Sequence, residues 1–527
     1  MKQDQLYDAI TDLRDDQIEQ GGKPLVRAGR PKRLLWLGGI AAVLALAVLS
    51  GAVVLPRLRK APKPGAAPEQ TIGPTDAQNQ TESQTQPPRP TSGSVPTPTG
   101  DSMTASGEIE AAEGTIRLYQ LSAPTYPKTP AQSADPAAWK SRYDALRLSD
   151  AQTAALQPFL AGTVPAVLGE SAGENRLYAP VNVYLALSML TEVTGGATRQ
   201  ELLRLLSAPD PETLRTEGKA LWEASYSDDP ELLTSIPAAS IWLSDAVRYN
   251  AGTLQTLASD YYASAYSGRM GSESYDQAIR TWINAHTGNL LDQQAGAFGT
   301  GGDTLAVLLS TIYYKASWEE GFYESNTRPG AFSGPNGEEQ TDFLHGGEKT
   351  DAWTENGFTA IGKSLQGGGT MYFLLPDKGV SPEELLRQPD ALAFLGSDAG
   401  RDALAHRLCL VDFSVPKFDV DAALDLTDTL SRLGVRSVFR SDLADFSPLL
   451  AEDTPCYLQG FLHAARVRID EKGCEAAAFT SAAPGDAPSQ EEPERLTLRL
   501  NRPFVFAITS PDGLPLFIGV VNHPEAG

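Results

Sequence analysis

Apolar and polar positions change rhythm several times along this chain, and each change marks an element. Leu34 to Leu55 is an uncharged run of 22 residues, enough for a helix to cross the roughly 30 Å apolar core of a bilayer. A cleaved signal peptide competes with that reading, but its apolar region is shorter, and here 33 residues come first. Those residues, 1–33, are polar and mixed in charge, with Leu6, Ile10 and Leu13 spaced for a short amphipathic helix. Residues 56–106 are Pro, Thr, Gln, Ser and Gly with almost no bulky apolar side chain. They cannot bury enough surface to fold and predict a disordered linker, with a reach of roughly 40 Å for about 50 residues. Residues 107–142 regain Ile116, Leu118, Tyr119, Leu121, Tyr126 and Trp139 without a clean period. An extension packed on the following domain is expected there.

From Tyr143 the helical signals begin. Ser149-Asp150 caps a helix expected to run to about Leu168. Asn175 to Leu190 predicts a short strand, a proline-started helix at Pro180 and a buried helical face. A helix is expected over Glu201–Leu206, another over Leu254–Tyr262 and a third over Leu426–Leu433. Leu305 to Trp318 is a nearly continuous apolar run suited to a central strand buried on both faces. Ala238–Leu243, Thr370–Pro376, Leu410–Phe418, Leu496–Leu500 and Pro503–Thr509 are further strand signals.

Between Ile469 and Leu496 the rhythm is unusual. A strand ends at Gly473, and a loose segment, Thr480 to Glu494, is rich in Ala, Pro, Gly, Ser and acid. The tract between them alternates with period 2. One face is Cys474, Ala476, Ala478, Thr480 and Ala482, small and uncharged throughout; the other is Glu475, Ala477, Phe479 and Ser481. Loop composition thus carries a latent strand pattern. An alanine-rich exposed loop with chance alternation has the same composition.

Charge and chemistry narrow the function. Asp plus Glu number 66 against 43 Lys plus Arg, a net charge of −23. That acidic surface argues against nucleic acid, which needs a basic face, and against adhesion to anionic headgroups. Basic residues flank the apolar span on both sides: Arg27, Arg30, Lys32 and Arg33 before it, Arg57, Arg59, Lys60 and Lys63 after it. The positive-inside rule is nearly balanced. A large acidic domain fits export, so the expectation is a single-pass protein of the cell membrane with residues 1–33 cytoplasmic and the C-terminal domain outside. The three cysteines, Cys409, Cys456 and Cys474, are too few for a disulfide framework and fit buried small hydrophobes. His-Glu-x-x-His and paired-Cys spacings are missing from the sequence. The five histidines are scattered. No enzymatic activity, metal or cofactor is expected.

Two motifs carry a family likeness. Asp470-Glu471-Lys472-Gly473-Cys474-Glu475-Ala476-Ala477-Ala478 resembles the reactive-loop hinge of serpins. Asn501-Arg502-Pro503-Phe504-Val505-Phe506, followed by Pro515 to Pro524, resembles the serpin C-terminal signature. The likeness covers about Tyr143 to Pro524 and adds Ile279–Asn284, similar to the helix that crosses the main serpin sheet. On these residues the chain is identified as a member of the serpins, expected to be a bacterial, membrane-anchored one. The resemblance implies an α+β fold over 143–527, with a large mixed β-sheet, packed helices and an exposed loop at Thr480–Glu494.

The likeness also implies a mechanism: the loop baits a serine protease, is cut, and its N-terminal side enters the sheet as a strand, deforming the covalently bound enzyme. Glu471 to Ala478 are then the hinge. Pro180, Asn182, Ser310, Trp318 and His463 are the residues implied in sheet opening, with Asn182 or Ser310 as the partner of His463; an ordinary core histidine is the plainer reading. The chain departs from the family at Ala179-Pro180-Val181-Asn182, where Ser-Pro-x-Ser is common, at Ser310, where Asn is usual, and at Cys474, where Thr, Ser or Val is usual.

The cut is expected among Ala482, Ala483, Asp486, Ala487, Ser489, Gln490, Glu491 and Glu492, although Pro488 and Pro493 disfavour cleavage directly before them. No Arg or Lys follows the hinge until Arg495, so an elastase-like or subtilisin-like target is expected over a trypsin-like one. A non-inhibitory member serving as a binding or adhesion module is the alternative.

Overall fold

The computed structural model describes residues 109–524, apart from 112–113, 117, 131, 133, 230, 288–298, 303, 356 and 475–493. The expected span at 34–55, the linker at 56–106, hinge residues 475–478 and every candidate for the cut lie outside the described residues. None of the described helices is long and apolar enough to cross a membrane.

In chain order, β1 (Ile109–Ala111) and β2 (Gly114–Ile116) form a hairpin, and β3 (Tyr119–Ser122) follows. β4 (Arg176–Tyr178) leads into the helix Pro180–Val193. Then come β5 (Ser227–Asp229), β6 (Leu233–Ser244), β7 (Ala263–Gly268) and β8 (Ala306–Ser317). The middle of the chain gives β9 (Arg328–Gly334), β10 (Gly337–Glu355), β11 (Phe358–Ser364) and β12 (Thr370–Pro376). β13 (His406–Pro416), β14 (Phe418–Asp425), β15 (Leu458–Ile469) and the two-residue β16 (Gly473–Cys474) follow. β17 (Glu494–Arg499), β18 (Phe504–Thr509) and β19 (Pro515–Val521) close the chain.

These strands build two large mixed sheets. One has the order β14-β15-β16-β8-β6-β7-β3, with β5 on β6; the other runs β17-β13-β10-β11-β12-β18-β19-β4, with β9 on β10. Of residues 107–142, Tyr119–Ser122 is thus an edge strand of the first sheet, paired with β7. The helix Pro136–Ala145 crosses the expected boundary at 143.

Among the described residues three apolar clusters hold the layers. Ile312, Tyr314, Ala465, Val467 and Cys474 of the first sheet pack on Met371, Phe373 and Phe506 of the second. The helix Glu273–Ala285 lays Tyr275, Ile279, Trp282 and Ile283 across the other face, against Trp242, Val307, Leu309 and Ala464. The helix Pro180–Val193 is buried at every position, as an apolar-all-round helix must be. Its one acid, Glu192, takes a fork from Arg215 at 2.8 and 2.9 Å and the Tyr261 hydroxyl at 2.7 Å.

Two expected boundaries shift. The helix expected from Ser149 to Leu168 is two, Asp150–Ala155 and Gln157–Leu168, broken at Leu156. Pro158 has no N–H to give the carbonyl four residues back, so the ladder stops and restarts. The helix expected at Glu201 begins at Gly196.

Candidate functional site: a cleft in the large sheet

The first sheet has a seam. β15 and β8 pair in parallel from Leu458↔Ala306 to Ala464↔Thr311, and there the ladder ends. Further along the two strands part, and β16 sits between them. Gly473 pairs with Ser317 and Cys474 with Ala316 on one side, and Cys474 with Ile469 on the other, all antiparallel. Four residues of β8, 312–315, and four of β15, 465–468, separate this short strand from the closed ladder. β16 therefore sits in a sheet whose flanking strands have already diverged.

The turn before β16 is tied at every residue. Asp470 Oδ1 accepts the N–H groups of Lys472 at 2.7 Å and Gly473 at 3.1 Å. Carbonyls 470, 471 and 472 each accept a donor from one platform. The Trp318 indole N–H donates to Asp470 at 2.9 Å; the Phe322 N–H donates to Glu471 at 2.8 Å and the Trp318 N–H to Lys472 at 2.9 Å. The Glu471 carboxylate receives Lys417 Nζ and the Thr327 hydroxyl, each at 2.7 Å. Burial alone would raise its pKa, but those hydrogen bonds outweigh it and hold it below the usual carboxylate range.

Gly473 has φ +159°, and a Cβ there would stand 2.3 Å from the Ala316 carbonyl oxygen. Only glycine lets the backbone approach β8 so closely. Cys474 is 3% exposed and its Sγ lies 3.9 Å from Met371 Sδ. Its side chain thus faces the core between the sheets, the face assigned to it by alternation. Burial pushes its thiol far above the ordinary range, so the docked hinge shields it.

At the closed end of the seam a second cluster forms. The Asn182 amide donates to Ser310 Oγ at 2.6 Å and to the Thr311 carbonyl at 2.8 Å. His463 Nε2 accepts the Ala179 N–H at 3.0 Å, which leaves the ring proton on Nδ1, 3.5 Å from Ser310 Oγ. Complete burial depresses the imidazole to about 4, only partly opposed by a hydrogen bond with the Ser310 backbone, so it is neutral near pH 7. Pro180 starts the helix that presents Asn182; its missing N–H is one the first turn leaves unbonded anyway.

The structure brings Pro180, Asn182, Ser310 and His463 together but separates Trp318 from them. Trp318 belongs to the hinge platform, at the far end of the seam. Asn182 does not bond His463, its amide being engaged by Ser310 and Thr311; Ser310, the other expected partner, stands 3.5 Å from Nδ1, and the Ala179 backbone N–H takes Nε2. Sequence reading missed Asp470, Lys417, Phe322 and Thr327 as hinge ligands. Asp470 stood inside the hinge motif and Lys417 inside the strand signal Leu410–Phe418, whereas Phe322 acts through its backbone and carries no residue-type signal. Among the described residues no group of His, Cys, Asp or Glu is arranged to hold a metal ion.

Comparison with known proteins places this geometry. The family model described as "Serpin (serine protease inhibitor)" matches residues 159–524. Serpin-Z2A of Triticum aestivum is 27% identical over 375 residues, covering 67% of this chain and 91% of its own length. Serpin-ZX of Arabidopsis thaliana is 24% identical over 373 residues, covering 67% and 93%. Among solved structures, a thermophilic serpin, Tengpin, in the native state superposes with a TM-score of 0.63 at 23% identity, covering 71% of this chain and 95% of that one. Human thyroxine-binding globulin follows with a TM-score of 0.62 at 21% identity, covering 71% and 98%.

Proposed function

We infer, because the chain belongs to the serpin family, that it inhibits a serine protease as a suicide substrate. The observation that carries this reading is β16, already seated between the diverging strands β15 and β8 in antiparallel register with both. Cleavage within residues 482–492 frees the following chain to extend that strand. Successive added residues gain ladder bonds to β8 and to β15 in alternation, and the small face formed by Ala476 and Ala478 enters the core. A protease held as an acyl-enzyme at the cut end is dragged along.

The target is elastase-like or subtilisin-like. A shallow primary pocket takes Ala or Ser, whereas a trypsin-like pocket holds a carboxylate that needs a base opposite it, and none lies between the hinge and Arg495. The acids Glu491, Glu492 and Glu494 favour a target with a basic rim. The test is to incubate the chain with elastase, subtilisin and trypsin, resolve the products under denaturing conditions, and locate the cut by mass spectrometry. An SDS-stable complex with elastase or subtilisin is expected. Cleavage by all three without any complex would favour the second reading, a non-inhibitory binding module; human thyroxine-binding globulin, solved in complex with thyroxine, has this fold.

We also propose that Leu34–Leu55 anchors the chain in the cell membrane with the inhibitor outside, on the strength of the 22-residue uncharged run. Protease shaving of intact cells should release the domain; release only after lysis would refute that orientation.

A further inference from the structure

Behind the hinge platform lies a buried charge. Lys363, on β11, is 3% exposed. Its ammonium sits 2.6 Å from Glu348 Oε2 on β10. It also lies over the rings of Trp318, Phe322 and Phe413, at 5.7, 5.0 and 5.4 Å from their centroids. An ammonium is strongly hydrated, and burying one is costly unless ion pairing and ring faces replace its water. Two of these rings belong to the residues whose N–H groups bind carbonyls 470, 471 and 472. The strand end that carries Lys363 is stitched to the exit of β8: Glu319 N–H donates to the Ser364 carbonyl at 3.0 Å, and Gln366 N–H to the Ser317 carbonyl at 2.8 Å.

We propose that Lys363, neutralised by Glu348, is a positioning residue for the hinge. It fixes the Trp318–Phe322 platform and so sets how readily residues 470–474 leave their seat in the sheet. Its consequence for trapping rests on the inhibitory reading above; its hold on the hinge does not, and is measured without a protease.

Three buried cysteines provide the assay. Cys474 reports the hinge, while Cys409 on β13 and Cys456 before β15 report opening of the fold as a whole. The folded chain is treated with iodoacetamide, and each cysteine peptide is followed by mass spectrometry in wild type, Lys363→Met, Lys363→Arg and Glu348→Gln. Lys363→Met keeps the bulk but strands the Glu348 carboxylate and removes the cation from the rings. It is expected to label at Cys474 about tenfold faster than wild type while Cys409 and Cys456 keep their rates. Lys363→Arg keeps charge and ring contact and should stay within about threefold of wild type. If Lys363→Met does not accumulate folded, Glu348→Gln reads the same shift with the lysine in place. An unchanged Cys474 rate, or equal acceleration of all three cysteines, overturns the proposal. A selective Cys474 shift with no protease complex in any variant would leave the positioning role standing and remove the inhibitory reading alone.

Discussion

Ala478→Arg is the substitution that most directly tests strand entry. Continuing the antiparallel register of β16 places Ala476 opposite Tyr314 and Val467, and Ala478 opposite Ile312 and Ala465. Cys474, Ile312 and Tyr314 are 3%, 3% and 6% exposed, and Ala465 and Val467 are 0% and 4%. All five belong to the apolar cluster between the sheets. A guanidinium carried to that position leaves water for a site whose neighbours offer no carboxylate. The penalty for an unpaired buried charge is several kcal/mol; a barrier raised by only about 3 kcal/mol slows entry on the order of a hundredfold. Trapping is a race between strand entry and hydrolysis of the acyl-enzyme, so the variant should be cut normally and released as a spent substrate. Ala477→Arg is the control, because position 477 falls opposite the half-buried Tyr313 on the other face; it should retain most of the complex. The assay is the yield of SDS-stable complex against cleaved inhibitor at equal protease. Undiminished complex with Ala478→Arg, or equal loss in both variants, would refute insertion in this register.

Other consequences follow from the same geometry. The folded state keeps His463 neutral down to about pH 4, whereas the unfolded chain takes that proton near pH 6.5. Below that value the unfolded state binds more protons, so His463 should lower stability by about 3 kcal/mol as pH falls from 6.5 to 4, with no further loss below. His286, also depressed by burial, works in the same direction; the Tm difference between wild type and His463→Gln across this window isolates His463, and a pH-independent difference would contradict the assignment. Gly473→Ala places a methyl 2.3 Å from the Ala316 carbonyl oxygen, forces the hinge off β8 at about 1–3 kcal/mol, and should expose Cys474 to alkylation in the uncut protein. Glu471→Gln strips Lys417 of its carboxylate and should cost about 2 kcal/mol in urea titration; an effect under 0.5 kcal/mol, an order-of-magnitude limit for exposed pairs, would mean that the pair adds little to the hinge.

What the sequence alone determined here is mostly periodic or local. The apolar run Leu305 to Trp318 announced β8, the proline before Val181 announced the start of a helix, and the alternation beyond Gly473 put Cys474 on an inward face. Such features are legible because strand parity, helix starts and close backbone approach depend on residues a few positions apart. The likeness of the hinge added a role to that pattern. Tertiary structure alone decided which strands flank the hinge: β8 and β15 are separated by about 150 residues, and no local signal makes them neighbours. It also decided that Trp318 stands with the hinge rather than with His463, and that a backbone N–H rather than Asn182 satisfies the imidazole. Lys363 is the sharpest case, since a lone lysine in a strand belongs by default on the surface. Only the convergence of Glu348 with Trp318, Phe322 and Phe413, drawn from three separate stretches of chain, makes its burial affordable.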